Sequence, residues 1–205
     1  MALFFLFPGL KAQEKPAFLP EPNVTIQSGI NFKFNPRTEK FRLPLDSAAV
    51  HFPELQNCKI EVRRQKITTM MAARPKRNFL FHSMKNRTYV ILITDKPGMR
   101  AEEIYHDLST SATVGVFGHE LSHIVSYKNK SNADLLWFGV KYMLNKKKIE
   151  NKTDMIAIDH GFGPGLVEYT SYIHNSPKVN KKYLLKKKKY YYSSNELESK
   201  MHENH

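Results

Sequence analysis

The run from Ser111 to Tyr127 has the pattern of one long helix, and it constrains the fold more than any other stretch. Two histidines, His119 and His123, lie one turn apart on it. Glycines at positions 115 and 118 weaken a helix by about 1 kcal/mol each, so we expect another element to pack closely against it. Apolar residues at helical spacing form a separate stripe that should face a core: Val114, Phe117, Leu121, Ile124 and Val125.

The two histidines belong to an HExxH motif, His119-Glu120-Leu121-Ser122-His123. Imidazoles at positions i and i+4 of a helix can share one metal ion. The carboxylate of Glu120 projects to the side of both rings, close enough to act on a metal-bound water without occupying a coordination position. The motif therefore predicts a metal site on the face of the helix that lies away from the core.

A catalytic zinc site of this type needs a third protein ligand and one open position. The metzincin extension of the motif is excluded, because Ser126 and Asn129 occupy the positions of its glycine and third histidine, and the inverted HxxEH form is absent. Downstream residues leave several candidates open: Glu150, Asp154, Asp159, His160 and Glu168. Among these, Asp154 interrupts an apolar helix face, where a carboxylate needs a partner.

The pair Glu150-x-x-x-Asp154 after HExxH resembles the gluzincins, a family of zinc metallopeptidases, and the chain resembles a small minigluzincin-like domain. The resemblance implies Zn²⁺ as cofactor, with His119, His123 and Glu150 as its ligands. It implies that Asp154 accepts a hydrogen bond from the outer nitrogen of His119. From the residues alone, Asp154 stays the alternative third ligand. It also implies a zincin-like fold and peptide hydrolysis with Glu120 as general base.

The 205 residues divide into four predicted segments. Residues 1–13 begin with a short apolar stretch and predict a signal peptide, hence an exported protein in the periplasm or outside the cell. The proline-rich residues 14–57 predict an extended N-terminal arm, with short strands near residues 30–34 and 40–43. Residues 58–175 are expected to form the metallopeptidase domain, and residues 176–205 a basic tail with a short helix.

Strands precede helices in the central segment, which predicts an α+β fold with a small N-terminal β-sheet followed by a helical part. Alternating residues predict a strand at 58–64, whereas residues 70–75 break the strand pattern. The apolar run Tyr89–Ile93 predicts a buried strand. At the edge of the sheet it could bind an extended substrate by strand addition, but its hydrophobicity favours a central position. Further helices are predicted at residues 101–108, 133–145, 150–159, 166–174 and 193–201.

The net charge of +13 is concentrated in part between Lys181 and Lys189. This tail could contact an anionic surface. No nucleic-acid-binding motif accompanies the charge, so we expect no nucleic-acid partner. Cys58 is the only cysteine and excludes an intrachain disulfide. We expect a monomer that acts on a peptide or protein substrate.

Two alternatives to a general metallopeptidase stay open: a non-hydrolytic metal-binding or surface-binding module on the same scaffold, and a hydrolase of cell-wall peptides. Hydrolysis would also require a donor that stabilises the oxyanion. The sequence does not choose among four candidates for that donor: His160, Tyr169, Tyr172 and His174.

Overall fold

The computed structural model describes residues 28–203. The predicted signal peptide at residues 1–13 and the first part of the predicted arm lie outside these residues. A four-stranded sheet comes first, formed by β1 (Asn31–Lys33), β2 (Lys59–Gln65), β3 (Met71–Pro75) and β4 (Thr88–Thr94) in the order β1-β2-β4-β3. Helices dominate residues 95–203, which agrees with the predicted α+β class.

The strand β4 lies inside the sheet, as its apolar sequence predicts. It pairs in parallel with β2, where Val62 lies opposite Ile91, and antiparallel with β3, where Ala73 lies opposite the same Ile91. Residues Tyr89 to Thr94 are all buried. Because β4 has a neighbouring strand on each side, its backbone cannot pair with an extended substrate.

The structure corrects the prediction that residues 70–75 interrupt the strand pattern. Residues Met71–Pro75 form β3 at the edge of the sheet. Its two alanines carry little strand propensity, and Pro75 cannot donate a ladder hydrogen bond; an edge position tolerates both. The pairing with β4, and not the local sequence, makes this segment a strand.

The described part of the N-terminal arm is not extended throughout. Residues Arg42–Ala49 form helix α1, where a short strand was expected at 40–43. Leu45, Ala48 and Ala49 on this helix are buried and contribute to the same core as the sheet. Their spacing is helical, so the apolar residues themselves favour the helix once a core is present to cover them.

The remaining helices follow the sheet. They are α2 (Ala101–Asp107), α3 (Thr110–Lys128), α4 (Asn132–Leu144), α5 (Lys146–Asp159), α6 (Gly163–Asn175), α7 (Lys181–Tyr190) and α8 (Ser194–Glu203). Side chains cap several of these helices: Ser109 Oγ accepts from the backbone of Ala112 at 3.0 Å at the start of α3, and Ser131 forms a capping box with Asp134 at the start of α4. None of the helices between residues 28 and 203 is long and apolar enough to cross a membrane.

Helix α3 occupies the centre of the molecule and is covered by α1, α5, α6 and β3. Its apolar stripe faces the core as expected, but the histidine face is also buried, because α5 covers it. The predicted close packing at its glycines is confirmed. A Cβ on Gly115 would lie 2.6 Å from the backbone carbon of Gly165 in α6, and one on Gly118 would overlap the ring of Phe162.

The C-terminal segment is a packed part of the molecule and not a tail. The short helix predicted at residues 193–201 is present as α8, the lysine run forms an additional helix, α7, and together they contact α5 and α6. Tyr183, Lys187 and Leu197 on these helices are buried. A run of lysines suggests a fully solvated segment, whereas the side chain of Lys187 is buried.

Candidate metal centre

Three side chains from two helices converge at one point. Helix α3 supplies His119 and His123, and α5 supplies Glu150, which is completely buried. The Oε2 atom of Glu150 lies 3.5 Å from Nε2 of His119 and 3.3 Å from Nε2 of His123. One ligand atom from each residue lies within 4.8 Å of the other two, so the group could hold a metal ion.

The outer nitrogen of each imidazole has its own partner on α5. Nδ1 of His119 lies 2.7 Å from Oδ1 of Asp154, and Nδ1 of His123 lies 3.3 Å from Oγ1 of Thr153. The Thr153 hydroxyl donates to the backbone oxygen of Ile149 at 3.0 Å, so its oxygen is left to accept from His123. With both Nδ1 atoms acting as donors, loss of a proton from either ring would leave the lone pair on Nε2, where a metal could bind.

The two oxygens of Glu150 have different environments. Oε1 accepts hydrogen bonds from the hydroxyls of Tyr142 and Tyr191, the latter at 2.9 Å, and lies 3.6 Å from Nζ of Lys146. Oε2 is buried and has no hydrogen-bond partner among the described residues. A buried carboxylate oxygen left unpaired is costly. A cation between this oxygen and the two Nε2 atoms would remove that cost, so the residues fit a metal with nitrogen and oxygen ligands.

The charges within this group of residues also favour a bound cation. Burial lowers the pKa of His119, but the carboxylates of Asp154 and Glu150 outweigh it and raise the pKa to about 10. Burial raises the pKa of Glu150, but the two histidines hold it well below its usual value. The buried carboxylates of Asp154 and Glu150 therefore require a positive charge at or between the two histidine rings. A proton on His119 supplies this charge in the metal-free protein, and a metal ion could replace it.

Glu120 lies beside this group without belonging to it. Its side chain is buried, and its Oε2 atom has no hydrogen-bond partner between residues 28 and 203. Burial raises the pKa of Glu120 above that of an ordinary glutamate, although the two histidines oppose the shift. A carboxylate with a raised pKa and a free oxygen at the edge of a cleft is suited to accept a proton.

A cleft of about 310 Å³ opens next to the site. Glu120, His123 and Glu150 lie at its inner end. Strand β3 forms one wall, and its outer edge pairs with no further strand of the described sheet. The Tyr127 hydroxyl donates to the Ala73 oxygen at 3.4 Å, and the backbone of Ala73 also interacts with the Glu120 carboxylate. The opposite wall is largely apolar and comes from four residues: Phe79, Leu135, Phe138 and Tyr142.

The other side of the site is closed by the C-terminal helices. Tyr183, Lys187 and Tyr191 share a small cavity of about 30 Å³ with His119 and Glu120. The ammonium group of Lys187 lies 3.6 Å from the centre of the Tyr191 ring, and burial lowers its pKa. On this side the described residues leave only the small cavity beside the metal centre, whereas the larger cleft lies along β3.

The other predicted candidates lie elsewhere. His160 binds Glu54 at 2.8 Å and stacks on Phe52, and Tyr172 donates to Asp107 at 2.8 Å. Of the four residues considered for the oxyanion, Tyr169 alone shares a cavity with Glu120, and its hydroxyl lies 3.1 Å from that of Tyr183. The structure does not bring Asp159, His160, Glu168 or His174 into the metal group.

Sequence reasoning missed four residues around the centre: Tyr142, Thr153, Lys187 and Tyr191. Thr153 offered a signal, since it lies three residues after Glu150 on the same helix and can reach the second histidine. The other three offered none, because their positions depend on how α4 and α7 pack against α5.

No protein-family model, no curated protein and no solved structure matches the chain.

Proposed function

We propose that the protein is a zinc-dependent metallopeptidase with a zincin-like domain, in which His119, His123 and Glu150 hold the metal. The convergence of Glu150 Oε2 on two imidazole nitrogens is the observation that carries this proposal. Asp154 and Thr153 orient the two rings by accepting from their outer nitrogens. When bound, zinc would lower the pKa of a water molecule to about 7 and polarise a substrate carbonyl.

Glu120 is the general base in this proposal. Its unpartnered Oε2 can accept a proton from water, a step that its raised pKa favours, and the same carboxyl group can then pass that proton to the leaving amine. The side chain is buried beside the cleft, so bulk water does not compete strongly for the carboxylate. Lys146 and the two tyrosines hold Glu150 through its other oxygen, which leaves Oε2 directed at the histidines.

The cleft supports an extended peptide as substrate. The outer edge of β3 offers backbone groups to a strand lying alongside it, as in recognition by strand addition. Phe79, Leu135 and Phe138 on the other wall offer an apolar surface for a substrate side chain. We therefore propose cleavage next to an apolar residue, by a protein that acts on peptides or on unfolded segments.

A metal-binding protein without hydrolytic activity is the second candidate. It is favoured by the closure of one side of the centre, where Tyr191 and Lys187 leave a cavity of only about 30 Å³. Both candidates bind zinc, and only the first requires Glu120.

The glutamine variant of Glu120 separates these candidates. Glu120→Gln keeps the shape of the side chain but cannot accept the proton, so casein hydrolysis by the full chain should fall at least about 100-fold. Zinc content, measured by atomic absorption after dialysis, should stay at the wild-type level. Chelator should abolish wild-type activity, and added zinc should restore it. Equal activity of the variant and the wild type would contradict the proposed role of Glu120.

A further inference from the structure

Helix α4 has an apolar surface on each side. Leu135, Phe138 and Tyr142 point to the cleft at helical spacing. The outward side is apolar too: Trp137 is 57% exposed, Met143 83% and Leu144 74%, and Leu136 and Val140 are also exposed. At about 100° per residue these five positions cover one continuous arc of the helix, opposite the cleft.

A second exposed apolar group lies at the start of the same helix. Leu80, Phe81 and Met84 are exposed, Phe81 by 87%. The side-chain nitrogen of Asn132, the first residue of α4, donates to the backbone oxygens of Leu80 and His82 at 3.2 and 3.3 Å. This segment is thus fixed beside the helix. The five outward residues of α4 together with Leu80, Phe81 and Met84 are called the α4 face below.

The α4 face is unusual for this molecule. It holds eight of the eleven exposed large hydrophobic side chains among residues 28–203. Scattered exposed apolar residues are ordinary, but a concentrated patch marks an interaction surface. With 13 residues, α4 is too short to span a bilayer, whereas a helix of this length can lie in a membrane interface.

The charges around the α4 face are mainly positive. Lys141 projects from α4, with its ammonium group 5.6 Å from the Trp137 ring centre. The C-terminal end of the face, at Leu144, borders an open groove that is lined by Lys146, Lys147, Lys148 and Lys152. The acidic groups nearby are Asp134, which caps α4, and Glu196, which lies near Lys147.

Apolar residues with a tryptophan and a rim of lysines match the chemistry of an anionic bilayer. The apolar side chains enter the boundary between headgroups and acyl chains, the indole stays at that boundary, and the ammonium groups meet lipid phosphates. A soluble acidic protein would match the positive charge, but it would also need a complementary apolar groove to cover the exposed arc of α4.

We propose that the α4 face docks the protein on an anionic lipid bilayer. The inner side of α4 forms a wall of the cleft, so docking places the cleft next to the membrane surface. The docking does not depend on the proposed hydrolysis, because no residue of the α4 face belongs to the metal group or to its hydrogen-bond partners.

Trp137 gives a direct test because it is the only tryptophan in the chain. The full chain is titrated with vesicles of phosphatidylcholine alone and of phosphatidylcholine with phosphatidylglycerol, and tryptophan emission is recorded. We expect a blue shift with the anionic vesicles, much less with the neutral ones, and reversal at about 1 M salt, where charges are screened beyond about 3 Å.

Matched variants locate the contact. Met143→Ser combined with Leu144→Ser should weaken vesicle binding about tenfold. Leu185→Ser removes a side chain of similar exposure (61%) from the lysine-rich helix α7 and should leave binding unchanged. Circular dichroism shows whether each variant is folded, and zinc content provides a second check.

Three results would overturn the proposal. The first is vesicle binding without any change in tryptophan emission, which would assign the contact to another part of the chain, such as the apolar residues 2–7. The second is a blue shift that rises with protein concentration in the absence of vesicles, which would assign the α4 face to a second copy. The third is the absence of binding to either kind of vesicle.

Discussion

At the scale of single residues, the hydrogen bonds of each side chain determine which of its atoms are left to bind a metal. Asp154 and Thr153 take the outer nitrogens of the histidines, and Tyr142 and Tyr191 take one oxygen of Glu150. The atoms that remain are two nitrogens and one oxygen that face each other. Such an arrangement is poorly satisfied without a cation and well satisfied with one.

The protonation of His119 leads to a prediction about pH. Its pKa is raised from 6.5 to about 10 in the metal-free protein, since Asp154 and Glu150 outweigh burial. A raised pKa stabilises the folded metal-free protein fully below pH 6.5, and this contribution is lost as the pH rises towards 10. A metal must displace the proton. Zinc binding at about pH 8 should therefore release about one proton, and affinity should rise with pH.

Titration calorimetry in two buffers of different ionisation enthalpy measures this proton release. Asp154→Asn is a suitable comparison, because it removes the charge that does most to raise the pKa of His119 and should reduce the number of protons released. Zinc binding with no proton exchange at this pH would show that His119 is already neutral.

At the scale of secondary-structure elements, the close approach of α3 to α6 holds the histidines in place. Gly115 and Gly165 allow the two backbones to meet, and a Cβ on either glycine would collide with the other helix. The cost of two glycines in helices is thus offset by packing. His119 lies about one turn and His123 just over two turns from Gly115, so a change in this packing would shift both histidines relative to α5.

Alanine at two glycines tests the importance of this contact. Gly115→Ala should lower the free energy of unfolding by about 1–3 kcal/mol, because overpacking outweighs the gain in helix propensity. Gly139→Ala in α4 is the matched control, since a Cβ there meets nothing within 4 Å. It should leave stability unchanged or raise it by up to about 1 kcal/mol. Urea unfolding measures both, and equal effects would argue against the packing explanation.

At the scale of the whole molecule, the C-terminal helices complete the core. Tyr183 and Leu197 are buried, and Met201 would overlap a Cβ on Gly163. Tyr191, in the segment between α7 and α8, binds Glu150 directly. Residues after Asn180 are therefore part of the domain and of the site, and an anionic contact through the exposed lysines between 181 and 189 remains a separate prediction.

Removal of the residues after Asn180 should consequently destabilise the protein. Loss of several buried side chains should reduce the free energy of unfolding by about 4 kcal/mol or more. Leu185→Ser within the same helix should change it by less than about 0.5 kcal/mol, because Leu185 is exposed. Chemical denaturation followed by circular dichroism compares the two. A truncated chain as stable as the full one would show that α7 and α8 are dispensable for folding.

The sequence predicted those features that depend on local spacing. Helix α3, the positions of His119 and His123 on it, and the buried strand β4 follow from periodicity and composition. The proximity of Glu150 and Asp154 to the histidines was expected from the resemblance, and the structure shows it. Strand β3 could not be predicted, because Met71–Pro75 becomes a strand only by pairing with β4. The same holds for Tyr191, whose role depends on α7 turning back over α5.

The central claim is that His119, His123 and Glu150 hold zinc. Diffraction from crystals of the full chain, recorded just above and just below the zinc absorption edge, tests it most directly. We expect one anomalous peak at about 2.0–2.2 Å from Nε2 of each histidine and from Oε2 of Glu150. A zinc-free centre in crystals grown with zinc, or a zinc peak whose third protein ligand is not Glu150, would contradict the account.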